Sequence, residues 1–142
     1  MDSLNILISI KPEFATKILD GNKTVELRKR FSNKALAGIR MMIYSSSPEK
    51  EVVGYVNITA VSTLSVKDIW QKYKDASCVS KLYFDKYYHS RDTGVVVHLS
   101  NPKKIKEKIK LLELKKIYNI HPPQSYRYLS DRVFNNIIGY KT

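Results

Sequence analysis

Apolar residues crowd residues 4–10, leaving few polar positions, and Pro12 follows shortly after. A run that short and that rich in Ile predicts a buried strand, with the proline opening a helix. Over residues 13–20, Phe14 and Ile18 recur four apart, as do Ala15 and Leu19. Gly21-Asn22 then supplies the left-handed residue that ends helices. From Thr24 to Phe31 the period changes to two: Val25 and Leu27 fall on one face, and Glu26, Arg28 and Arg30 on the other. Such alternation predicts a half-buried strand. Residues 39–44 and 51–64 are rich in β-branched side chains on either side of Ser45-Ser46-Ser47-Pro48, the pattern of a hairpin with a turn.

Ser65, with Asp68 three residues later, has the form of a helix N-cap, and the helix is predicted to run through Trp70 and Tyr73 to about Ala76. A second helix is expected over 80–89. The spacing of its Tyr83, Phe84, Tyr87 and Tyr88 favours packing over an exposed stacking surface. Gly94 releases the chain into a β-prone run at 95–99. Lysines interrupt Ile and Leu irregularly over 101–118, which predicts a strand around 109–112 and a short helical turn after it. His121-Pro122-Pro123 breaks whatever precedes it. Ser130 then caps a last helix over 131–138, with Val133, Phe134, Ile137 and Ile138 as its apolar stripe. No repeat, low-complexity block or linker divides the chain, so one domain over 1–142 is expected. About five curved strands with helices between them make an α+β fold, a small barrel with helical decoration.

Composition adds a partner to this outline. The chain has 142 residues, 43% hydrophobic, enough for one core that buries roughly two-thirds of the unfolded surface. Lys and Arg number 25 against 13 Asp and Glu, a formal charge of +12 that attracts polyanions, although solvated lysine faces contribute to any such excess. The run of Lys103, Lys104, Lys106, Lys108 and Lys110 has both meanings. Cys78 is the single cysteine, so neither an intrachain disulfide nor a cysteine-based zinc site is expected. His89, His98 and His121 lack acidic neighbours at ligand spacing, so no metal or other cofactor is expected. The apolar start is too short for a membrane helix and lacks the features of a secretory leader, which predicts a cytoplasmic protein without a membrane partner. Nothing in the pattern speaks to oligomeric state.

Candidate chemistry concentrates at 21–30, where Lys23, Glu26, Arg28 and Arg30 converge. A strand spaces Glu26, Arg28 and Arg30 along one face, so that Glu26 can orient one guanidinium and leave other donors for phosphate. The alternative is a solvated edge with ion pairs worth under about 1 kcal/mol each. Lys11, before the first helix, joins the candidate nucleic-acid-binding set. Gln124, Ser125 and Arg127 form a second candidate surface, offering amide, hydroxyl and guanidinium groups to single-stranded RNA. Tyr126 and Tyr128 beside them serve either as stacking platforms or as anchors of the last helix.

The spacing Gly-x-Lys-x-x-Glu-x-Arg, on Gly21, Lys23, Glu26 and Arg28, resembles the signature of the ASCH domain family, a branch of the PUA-like superfamily. The similarity extends to residues 8–12, 44–48, 87–94 and 122–129. It implies a PUA-like β-barrel of five or six strands with three or four helices, and a cleft that binds RNA in regulatory roles. Some members of the family are similar to amidohydrolases of acetylated cytidine, and one branch cleaves RNA. The hydrolase branch uses a Lys, a Thr and a distal Glu, and its Thr falls where this chain has Glu26, with Thr24 the nearest hydroxyl. The expected function is therefore an RNA-binding regulatory module, taking RNA, another nucleic acid or a nucleotide-like ligand through Lys11, Lys23, Glu26, Arg28, Arg30, Gln124, Ser125 and Arg127. The alternative is an enzyme acting on RNA or modified nucleosides, with Lys23, Thr24 and Glu26 as its catalytic set.

Overall fold

The first apolar run is β1 (Leu4–Ile10), and Pro12 opens α1 (Pro12–Leu19), which buries Phe14, Ala15 and Ile18. Gly21 follows at φ 84°, where an L side chain would be strained. β2 (Val25–Arg28) spans four residues. β3 (Arg40–Ser45) and β4 (Glu51–Ser65) form the predicted hairpin. α2 (Val66–Ser77) starts where Ser65 Oγ accepts from the Asp68 amide at 3.1 Å, and α3 (Lys81–Tyr87) starts at Ser80, which caps Tyr83. Then come β5 (Thr93–Lys110), α4 (Leu111–Tyr118), β6 (Tyr126–Ser130) and α5 (Asp131–Ile137), the last capped by Ser130 as its sequence predicts. This computed structural model describes residues 4–35 and 37–139.

The six strands lie in the order β2-β5-β4-β3-β1-β6, with β1 and β3 parallel and every other pair antiparallel. One face carries Ile6, Ile8 and Ile10 against Phe14 and Ile18 of α1. The other carries Leu7 and Leu129 against Leu114 of α4 and Phe134 of α5. A third cluster sets Val25, Leu27 and Val96 under Ile69 of α2, Phe84 of α3 and Tyr88 just after it. The outermost strand, β2, thereby has one face covered by two helices.

Several expectations need correction. Among the described residues there are five helices, not three or four. No ladder joins β2 to β6, so backbone pairing does not close the sheet into a barrel. Side chains bridge its ends instead. Arg28 of β2 donates to the Ser9 carbonyl of β1 at 2.9 Å, and Ser32 shares a 2.5 Å hydroxyl contact with Tyr128 of β6. β2 ends at Arg28 rather than near Phe31 because α3 and the turn after it take its backbone groups. Tyr88 Oη donates to the Arg28 carbonyl, the Lys29 amide donates to Tyr87 Oη, and Arg91 donates to the Lys29 carbonyl. A strand whose edge is capped by side chains cannot extend the ladder.

In the lysine-rich region the strand runs through to Lys110, and the helix begins at Leu111 instead of after 112. Its register against β4 slips between the Gly54–Lys104 and Val52–Ile109 pairs, so the bulge breaks the alternation that would have marked a strand. The 126–130 segment, part of the second candidate surface and given no element in the sequence, is edge strand β6, paired antiparallel with β1.

Candidate functional site

A pocket of about 270 Å³ opens between β1, β2, the start of α1 and α3. Its floor consists of charged side chains that are almost wholly removed from solvent. Lys23 is 2% exposed and Glu26 7%. Lys23 Nζ donates to the Ser77 carbonyl at 2.6 Å, lies 3.4 Å from Glu26 Oε1, and faces the Phe14 ring with 5.2 Å to its centroid. The other carboxylate oxygen, Oε2, accepts from Arg28 Nε at 3.0 Å and sits 2.8 Å from Arg28 Nη2. Arg28 reaches further, to the Ser9 carbonyl and, at 3.4 Å, to Ser125 Oγ. Glu26 thus holds one cation with each oxygen, with Lys23 and Glu26 buried and Arg28 half-buried at the pocket.

Buried ions are retained only where partners satisfy them, and removing one partner leaves a charge stranded. Burial holds the Lys23 amine below its ordinary value; the nearby Glu26 opposes that shift without cancelling it. A lysine so placed releases its proton more readily than a surface lysine.

The wall is aromatic. Tyr83 and Tyr87, one helical turn apart on α3, stack with their planes 11° apart and centroids separated by 6.2 Å. Both are half-buried, and burial is the main cause raising both phenols above their ordinary value. Phe14 packs edge-on against Tyr83. Phe84 and Tyr88, each one residue further on, belong to the core, although Phe84 also reaches the pocket lining. These aromatics therefore divide only in part: Tyr83, Phe84 and Tyr87 line the pocket, and Tyr88 packs wholly in the core. The two interleaved i,i+4 aromatic pairs held the signal, since a seven-residue helix buries one stripe and leaves the adjoining one at its edge.

The sequence candidates separate as follows. Lys11, Lys23, Glu26, Arg28 and Gln124 line the pocket, and Ser125 stands at its edge bonded to Arg28. Arg30 lies beyond the end of β2, exposed and outside the pocket lining. Arg127 pairs opposite Leu7, so alternation along β6 sends it to the other face of the sheet from Tyr126. Tyr126 and Tyr128 pack against the core, Tyr126 with its ring 5.1 Å from Phe31. Thr24 is exposed and does not line the pocket. Among the described residues no cluster of three or more His, Cys, Asp or Glu is placed to hold a metal, and no helix is long and apolar enough to cross a membrane.

Comparison with known proteins gives this architecture its relatives. The family described as Domain of unknown function (DUF365) matches residues 4–135. An ASCH domain-containing ribonuclease of Zymomonas mobilis is 33% identical over 129 residues, covering 90% of this chain and 86% of that protein. The chain belongs to the ASCH family. The crystal structure of ASCH from Zymomonas mobilis aligns with a TM-score of 0.88 at 30% identity, covering 97% of this ASCH chain and 96% of that one. Human THYN1, solved with DNA containing 5-methylcytosine, shares the fold alone, with a TM-score of 0.59 at 16% identity over 99% of both chains. The large ribosomal subunit protein uL22 of Ureaplasma parvum matches over 89 residues at 36% identity, 61% of this ASCH chain but 28% of that protein.

Proposed function

We propose that this ASCH domain is a regulatory module that binds single-stranded RNA by admitting one base to the pocket. The observation that carries the proposal is the pairing of a stacked tyrosine wall with a largely buried floor of fixed donors and one carboxylate. Aromatic faces accept any base, and fixed polar groups discriminate among their edges. Glu26 accepts from a base amino or imino group. Arg28 has most of its donors engaged by Glu26, Ser9 and Ser125, so its part is to hold Glu26 in place and offer one remaining N–H. The formal charge of +12 supplies long-range attraction for the phosphate chain. The ribonuclease name of the Zymomonas relative and the DNA bound to THYN1 support a nucleic-acid partner.

The test is fluorescence anisotropy with a labelled single-stranded RNA, competed by the same sequence as a duplex. Preference for the single strand, weakened by Tyr83→Ala, is the expected result. Equal competition by the duplex, or an unchanged affinity in the variant, would refute it.

A second function at the same pocket is RNA cleavage. It is favoured by the relative's name and by the lowered Lys23 amine, placed beside Glu26. That amine is suited to take the proton of a 2′-hydroxyl as that oxygen attacks phosphorus and the P–O5′ bond breaks; the ammonium so formed returns the proton to the leaving 5′-oxygen. Cleavage of end-labelled RNA that fails with Lys23→Met, and fails with a 2′-deoxy substrate, would replace the binding-only proposal. The amidohydrolase alternative is the weaker of the two enzyme readings, because the hydroxyl of Thr24 is outside the pocket.

A further inference from the structure

Two lysines reach the tyrosine wall from its opposite ends. Lys11 Nζ lies 5.0 Å from the Tyr83 ring centroid, and Lys29 Nζ lies 5.1 Å from that of Tyr87. Between them the two rings are stacked. Lys11 comes from the junction of β1 and α1, and Lys29 from the residue after β2, so different elements fix the two ammonium groups. Both are exposed, and among the described residues neither forms an ion pair. The other cations at the pocket, Lys23 and Arg28, are engaged with Glu26 in the floor.

A base inserted against this wall leaves its ribose and phosphates at the mouth. A nucleotide inside a strand carries one phosphate on each side, whereas a free nucleoside carries none and a terminal nucleotide often only one. Resting on the base-pocket proposal, we infer that Lys11 and Lys29 hold the two phosphates flanking the bound nucleotide, one each, so that the site takes an internal nucleotide of a single strand. A compact ammonium on a flexible stem suits this task, since it tracks phosphate oxygens without demanding a fixed plane. Each lysine lying over a ring is also guided toward the mouth by cation–π attraction in the absence of ligand. The Lys29 end is further fixed, because Arg91 bonds the Lys29 carbonyl and Tyr87 accepts from its amide.

The test uses calorimetric binding of four ribonucleosides, their 5′-monophosphates, 3′-monophosphates and 3′,5′-bisphosphates to the full chain and to Lys11→Ala, Lys29→Ala and Lys106→Ala. Each phosphate is expected to tighten binding roughly tenfold in the unaltered chain. Lys11→Ala should abolish the gain from one phosphate and spare the other, Lys29→Ala should do the reverse, and Lys106→Ala should change neither. With a labelled single-stranded RNA octamer, each mouth variant should also lower the slope of log affinity against log salt by about 0.7. If both mouth variants weaken both monophosphates alike, or neither does, the lysine assignment is overturned while the base pocket stands. If no nucleotide and no octamer binds, the base pocket is overturned and the lysine assignment with it.

Discussion

Replacing Glu26 with Gln tests whether the pocket floor is the tightly coupled charge cluster that its geometry describes. The substitution preserves volume and keeps an oxygen for Arg28. It also sets two largely buried cations against a neutral amide: side-chain exposure is 1% for Lys23 and 14% for Arg28. Stranding one member of a buried pair costs about 3–5 kcal/mol. Lys23 limits the loss by shedding its proton. From an ordinary value of 10.5 that release costs about 5 kcal/mol at pH 7, and burial reduces the figure further. A destabilisation of about 3 kcal/mol is therefore expected, which at an m-value of about 2 kcal/mol per M lowers the urea midpoint by about 1.5 M. The double variant Lys23→Met/Glu26→Gln removes the stranded ammonium and should recover at least about 1 kcal/mol relative to Glu26→Gln alone. Equilibrium urea unfolding, followed by circular dichroism, gives both values. A Glu26→Gln loss below about 0.5 kcal/mol, or strict additivity in the double variant, would refute the coupling.

Further outcomes follow from the same geometry. Because Lys23 titrates lower in the folded chain than when unfolded, the unfolded state binds more protons in the window below 10.5, and stability should rise with pH there. Urea unfolding of the unaltered chain, compared with Lys23→Met so that tyrosine titration cancels, should show that rise only in the former. Arg28→Lys keeps the charge but loses the fork that spans Glu26 and Ser9, so the Ser9 amide, bonded to the Ser125 carbonyl at 3.0 Å, should exchange its hydrogen at least about tenfold faster. Gly94→Ala would set a Cβ 2.5 Å from the buried Tyr88 ring, and overpacking of that kind should cost about 1–3 kcal/mol in thermal unfolding.

Local signals made much of the fold legible. Pro12, Gly21, Ser65 and Ser130 act through their own backbone or the next turn, and each bounds its element as the sequence predicts. The strand β6 left no comparable mark. Five residues following two prolines gain strand character only from pairing with β1, more than 100 residues away in sequence. The charged residues of the pocket were legible in the sequence, but its depth and its aromatic wall were not. Gly21, Lys23, Glu26 and Arg28 are adjacent in sequence, but Lys23 is buried because the Ser77 carbonyl arrives from 54 residues away, and α3 supplies a wall that the motif does not encode. Arg30 and Arg127 have the right chemistry on the wrong side of a strand end and a sheet.

The most direct test of the base pocket is a nuclear magnetic resonance titration of the chain with a short single-stranded oligoribonucleotide. Amide shifts centred on residues 9–11, 26–29 and 83–87, with little change along 103–110, are the predicted result. Shifts confined to the lysine-rich strand, with the pocket amides unmoved, would contradict it.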